Sequence, residues 1–202
     1  KRTGREHELP EQYGSIRMLS QGRGSSLLVG TTKNAILQGS LDLKFSCIVQ
    51  GHMEELWGLS PHPSQHQFAS CGYDRMLYMW DTLTHSLIWC KELPDGCHSV
   101  CFHPEGNMMV VGMTTARWVV LDVTTRDVVT THSDGNEQIE CVAFSPDGSH
   151  LAVGSRDNFI YVYSVSDGGR KYSRIGRCSG HSSFVTHVDW STDGQYLMSN
   201  SG

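Results

Sequence analysis

Short stretches of the chain place side chains in alternation, as at Ile139, Cys141 and Ala143 or at Val185, His187 and Asp189. A period of two is that of a strand with one face buried. Each stretch is followed, after a few polar residues, by a short run rich in Val, Leu or Met, such as Met108-Met109-Val110-Val111. No long segment carries apolar residues at the spacing of an amphipathic helix. The pattern predicts an all-β chain of many short strands.

The turns between strands are also readable. His62-Pro63, His103-Pro104-Glu105-Gly106, Ser145-Pro146-Asp147-Gly148 and Ser191-Thr192-Asp193-Gly194 each separate two runs. Pro presets φ at the first turn position and Gly accepts a positive φ near the end, so each tetrapeptide predicts a tight hairpin. A second marker, a run closing on glycine, recurs at Gly30, Gly72, Gly112, Gly154 and Gly202, with spacings of 42, 40, 42 and 48. Four short strands repeating at that period identify a β-propeller. The 202 residues hold about four and a half four-stranded blades of an incomplete ring. They are expected near 13–47, 48–93, 94–132, 133–178 and a truncated 179–202, with 1–12 as a linker or incoming segment. A propeller closes on roughly 4 to 8 blades, so the chain is expected to be an arc whose remaining blades come from a parent chain. Alone it would present unpaired strand edges and is expected to fold poorly.

One unit carries nearly the whole WD-repeat pattern. Gly51-His52 opens it, Ser70 lies in its second strand, Asp74 in a tight turn, and Trp80-Asp81 closes its third strand. In such repeats His52, Ser70, Asp74 and Trp80 are expected to form a buried hydrogen-bonded chain, which makes His52 structural rather than catalytic. Gly180-His181 opens a second recognisable unit. The units between are degenerate. Leu121-Asp122 stands in the Trp-Asp place of one, while Asp157 and Tyr163 partly restore the network in the other, where Val153 replaces the serine.

Composition narrows the function. The net charge of −5 argues against a nucleic-acid binder working through bulk charge. No apolar run is long enough to span a bilayer, and no apolar stretch follows the basic start as in a secretory signal. Seven cysteines, an odd number spread evenly, read as reduced thiols, and no Asn-x-Ser/Thr acceptor occurs, which favours a cytosolic setting. Cys97-His98-Ser99-Val100-Cys101-Phe102-His103 has zinc-binding residue types. As a strand, however, it would set Cys97 and Cys101 on one face about 13 Å apart, too far for one ion. No cofactor or metal is expected. The chain lacks a Gly-x-Ser-x-Gly elbow, a phosphate-cradling glycine loop and a His-Glu-x-x-His pair, so no catalytic residues are assigned.

Several runs resemble the echinoderm microtubule-associated protein-like family. They are Glu8 to Gly14, Gln50 to Leu59, Asp134 to Gln138, Gly169 to Arg174, Gly180 to Ser183 and Ser199 to Gly202. The resemblance implies part of the second of two tandem propellers. It also implies a non-catalytic scaffold that binds tubulin, microtubules or other microtubule-associated proteins in the cytoplasm, with the spindle and the ciliary axoneme as candidate sites. The coiled coil and long basic region of that family are absent from this sequence. Two surfaces are candidates for partner contact. Arg170, Lys171, Arg174 and Arg177 fall on an expected outer strand, where they could steer an acidic partner or simply protect a strand edge. Asp134, Asn136 and Glu137 fall in a polar loop that joins two blades and could carry recognition or merely connect. A general WD-repeat adaptor for a non-tubulin partner and, more remotely, a propeller enzyme are the alternatives.

Overall fold

The computed structural model describes residues 8–40 and 44–202. The chain divides into two compact units, residues 1–53 and 54–202. Of the expected incoming segment, residues 1–7 lie outside the described residues, and Glu11–Tyr13 forms one 3₁₀ turn.

The first unit holds one antiparallel sheet, β1 (Ile16–Gln21), β2 (Ser26–Thr31), β3 (Ile36–Ser40) and β4 (Phe45–Val49), paired in sequence order. The second unit holds three more. They are β5 (Leu56–Pro61), β6 (Gln67–Gly72), β7 (Met76–Asp81) and β8 (Leu87–Glu92), then β9 (Cys97–Phe102), β10 (Met108–Met113), β11 (Arg117–Asp122) and β12 (Val128–Ser133). The third is β13 (Ile139–Phe144), β14 (His150–Ser155), β15 (Ile160–Ser166) and β16 (Lys171–Cys178), and the pair β17 (Val185–Trp190) and β18 (Leu197–Ser201) begins another. Every sheet is an antiparallel meander, and the fold is that of β-propeller blades. We number the blades one to five in chain order. The outer strands β4 and β12 run past the expected boundaries at 47 and 132, to Val49 and Ser133.

Within the second unit the core lies between blades, not inside them. β10 is buried at all six positions, whereas β16 is exposed at seven of eight. The reason is that a middle strand has a neighbouring blade on each face, while a fourth strand meets water. One cluster joins Ala69, Cys71, Leu77 and Met79 of the second blade to Cys97, Val100, Phe102 and Met109 of the third. The next joins Met108, Val110, Trp118 and Val120 of the third to Val142, Phe144, Leu151 and Tyr163 of the fourth. Each fully buried side chain of this kind stabilises by about 1.5–3 kcal/mol, so a blade depends on its neighbours for its stability.

The first strands break the expected alternation. The register slips by one residue between Leu56 and Gly58, between Cys97 and Ser99, between Ile139 and Cys141, and between Val185 and His187. A β-bulge at Trp57, His98, Glu140 and Thr186 reverses which face the later residues take. Hence Val142 and Phe144 are buried rather than Ala143, and Val188 rather than His187 or Asp189. The bulge also corrects the expectation that Cys97 and Cys101 share a face: Cys97 packs toward the second blade and Cys101 toward the fourth. Pairing corrects the glycine marker as well. Equivalent second-strand positions are Cys71, Gly112, Gly154 and Asn200, so Gly72 and Gly202 were out of phase with the true repeat.

Candidate functional site

Part of the expected WD network of the second blade lies within its own sheet. The indole N–H of Trp80 donates to Ser70 Oγ at 2.8 Å, and Asp74 Oδ1 accepts the Met76 amide at 3.1 Å in the β6–β7 turn. Arg75 follows at φ +63°, a left-handed position that the Asp74 side chain helps to hold. His52 is half-buried and belongs to the first unit. In the truncated fifth blade, which also opens on Gly-His, His181 Nε2 and Ser199 Oγ lie 2.8 Å apart.

The degenerate third and fourth blades use different chemistry. Asp134 was expected in an exposed recognition loop, yet its side chain is only 1% exposed. Its carboxylate accepts the Trp118 indole N–H of β11 at 2.9 Å and the Tyr163 hydroxyl of β15 at 2.5 Å, and lies 3.3 Å from Arg174 of β16. Burial, followed by the donated bond to Asp134, pushes the Tyr163 phenol well above its ordinary pKa, which keeps it a donor. A buried carboxylate persists because three donors share its charge. Asp134 therefore ties two blades together and is withdrawn from the surface. The neighbouring Gly135 leaves room for a second such bond, from the Tyr161 hydroxyl to Asp157 Oδ2 at 2.6 Å.

The His-Pro turns carry a link that sequence reading missed. His62 Nδ1 accepts the amides of Ser64 and Gln65 at 3.2 and 3.1 Å, which leaves Nε2–H to donate to the Gly106 carbonyl of the next blade at 3.1 Å. His103 repeats the arrangement, accepting from Glu105 at 3.3 Å and donating to Gly148 at 3.3 Å. Gly106 and Gly148 have φ of +77° and +73°, and a β-carbon on either would strike the preceding blade's imidazole. The signal was the repeated pairing of a His-Pro turn with a glycine one period later.

The basic run lies on and beside the solvated strand β16, but half of it is engaged. Arg170 is paired with Asp122, and Arg174 with Asp134. Hydrogen bonds from the Thr125 amide, together with Arg170, hold the Asp122 carboxyl below the usual carboxylate range. Lys171 pairs with the exposed Asp167 of its own turn at 3.3 Å, and Arg177 lies 4.2 Å over the Phe159 ring. These two cations are the outward part of the run. Asn136 and Glu137 are exposed in the loop between β12 and β13. The sequence-predicted candidates thus split into Asp134, which is buried, Arg170 and Arg174, which are exposed but tethered to the buried carboxylates Asp122 and Asp134, and a displayed set of Lys171, Arg177, Asn136 and Glu137.

Among the described residues no group of three or more His, Cys, Asp or Glu side chains could hold a metal ion. The nearest approach to a reactive cluster is the bulge row. There Trp57 stacks on His98 at 4.6 Å, His98 Nε2 lies 3.5 Å from Glu140, and Glu140 lies 3.3 Å from Arg156. No helix among the described residues is long and apolar enough to cross a membrane.

Residues 56–202 match the family model described as the echinoderm microtubule-associated protein second β-propeller. The chain is 54% identical over 197 residues to echinoderm microtubule-associated protein-like 2 of Rattus norvegicus, a match covering 98% of this chain and 30% of that protein. It is 55% identical over 197 residues to the mouse (Mus musculus) like-3 protein, covering 98% of this chain and 22% of that protein. It is 52% identical over 198 residues to the human (Homo sapiens) like-1 protein, covering 98% of this chain and 24% of that protein. The chain therefore spans under a third of the length of these relatives. With its meander blades, its Trp80–Ser70 bond and a family match over nearly all of its second unit, the chain belongs to the echinoderm microtubule-associated protein family, as part of the second propeller.

Proposed function

We propose that this chain is part of a non-catalytic WD-repeat scaffold that binds tubulin, microtubules or microtubule-bound proteins, and that it works on the cytoplasmic cytoskeleton. The observation that carries this reading is the family match over residues 56–202, joined to relatives whose names describe them as microtubule-associated. The displayed cations Lys171 and Arg177 supply complementary charge for an acidic partner surface, and charge of this kind governs encounter rate and salt dependence.

The test is co-pelleting of the full-length parent protein with microtubules across a salt series. Arg170 and Arg174 are unsuitable for charge reversal because each holds a buried carboxylate, so reversal would disturb the fold. The informative variant is Lys171→Glu with Arg177→Glu. Weakened co-pelleting with a shallower salt dependence supports contact through β16. Undiminished co-pelleting removes β16 from the interface, and failure of the parent protein to pellet at all favours the general adaptor reading. That second reading draws on the exposed Asn136 and Glu137, which sit in an inter-blade loop open to any protein partner.

A further inference from the structure

Three seams between consecutive blades of the second unit share one close approach. On one side stands the second-strand position Cys71, Gly112 or Gly154; on the other stands the residue that opens the next blade, Cys97, Ile139 or Val185. A β-carbon built on Gly112 would lie 3.1 Å from Ile139 Cβ, and one built on Gly154 would lie 3.4 Å from Val185 Cβ. At these two seams glycine is required because a β-branched side chain fills the space opposite. At the first seam both partners are cysteine. Gly58, beside Cys71 on the adjacent strand, leaves room for its sulfur, since a β-carbon there would collide with Cys71 Sγ. Both residues are fully buried in one apolar cluster, and the neighbouring Cys97 thiol together with burial pushes the Cys71 thiol well above its ordinary pKa.

A disulfide needs β-carbons about 3.5–4.5 Å apart, only a few tenths of an ångström beyond the separations at the sister seams. Real β-carbons at Cys71 and Cys97 would hold the strands apart by that much. We propose that Cys71 and Cys97 form a modification site, where two-electron oxidation by a hydroperoxide creates a disulfide that staples the second blade to the third. One thiolate attacks a peroxide oxygen, the O–O bond breaks, and a sulfenic acid and water result. The second thiol then displaces the sulfenic oxygen, the S–S bond forms, and a second water leaves. Two thiols lose two electrons and two protons, and hydrogen peroxide is reduced to two waters.

In a reducing compartment the bond would arise only under oxidant stress. Because both sulfurs are buried, the rate is gated by opening of the seam. Cys141, which faces Val185 across its own seam, has no thiol partner there and serves as an internal control. The simpler account is packing: Gly with Ile, Gly with Val and Cys with Cys fill similar volumes, and the two thiols never bond.

The test uses the full-length parent protein with its exposed thiols, Cys47 and Cys178 among them, first blocked by N-ethylmaleimide. It is then treated with hydrogen peroxide in rising urea until the buried thiols become reactive, and refolded by dilution. Peptide mapping should find Cys71 joined to Cys97, with the loss of two hydrogens, while Cys141 remains unlinked. The oxidised protein should melt a few degrees above the reduced one and return on reduction, and Cys71→Ser should abolish both effects. The packing account prevails if no linked peptide forms once both thiols react, or if the linked protein melts below the reduced protein.

Discussion

The second and fourth blades solve the same problem with different residues. In the second, Trp80 reaches back to Ser70 within its own sheet, and Asp74 holds the turn between them. In the fourth, valine at 153 offers no hydroxyl, and Tyr163 turns instead to Asp134, a carboxylate that also binds Trp118 of the third blade. The first solution stiffens a blade; the second fastens two blades to each other. Loss of the familiar pattern therefore marks a change in what is tied to what, not a weaker blade.

The largest expected effect separates the two solutions. Asp134→Ala leaves an indole N–H, a phenol and a guanidinium without their acceptor, and should cost about 3–5 kcal/mol, read by chemical denaturation of the intact protein. A loss under 1 kcal/mol would show that the carboxylate is not the tie between blades. Asp134→Asn keeps an acceptor oxygen and should fall between the wild type and the alanine variant.

Next comes Gly106→Ala, which combines a left-handed backbone with a collision against His62, for a loss of roughly 1–3 kcal/mol. His62→Ala should relieve the collision, so the double variant should be less destabilised than the sum of the two singles. Strict additivity would mean that the imidazole does not occupy that space. Trp80→Phe removes one hydrogen bond of the second blade and should cost about 1 kcal/mol beyond lost packing. A double-mutant cycle with Ser70→Ala isolates that bond, and a coupling near zero would dissolve the contrast between the blades.

The smallest effect concerns pH. The folded pKa of Asp122 is depressed below its unfolded value, so its contribution is fully present above the unfolded pKa and is lost as pH falls through the folded one. Asp122→Asn should flatten this acid limb of the stability profile while leaving the neutral region with only the cost of the lost Arg170 pairing. An unchanged acid limb would show that other carboxylates carry it.

What was legible in the sequence follows from distance along the chain. Trp80 and Ser70 lie ten residues apart on adjacent strands, so one repeat unit contains the whole relation. Asp134 draws on residues 16, 29 and 40 positions away in two blades, and a polar loop reads alike whether it faces water or a buried indole. Arg174 and Arg170 suffered the same ambiguity, because positive charge on an outer strand does not reveal an acidic partner beneath it. The bulges were hidden for another reason. One inserted residue leaves the composition unchanged yet reverses the faces, and the clue was an alternation ending on His187 and Asp189 that would have pointed two polar groups inward.

The His62 and His103 bonds all run forward, from an earlier blade to the turn of a later one. During synthesis the donor imidazole thus leaves the ribosome more than forty residues before its acceptor. The second blade can form its sheet early but holds nothing until the third turn emerges, and the third then waits for the fourth. Assembly across these two seams would advance in the direction of translation, and a ribosome paused between the clasps would display a histidine whose acceptor had not yet been made.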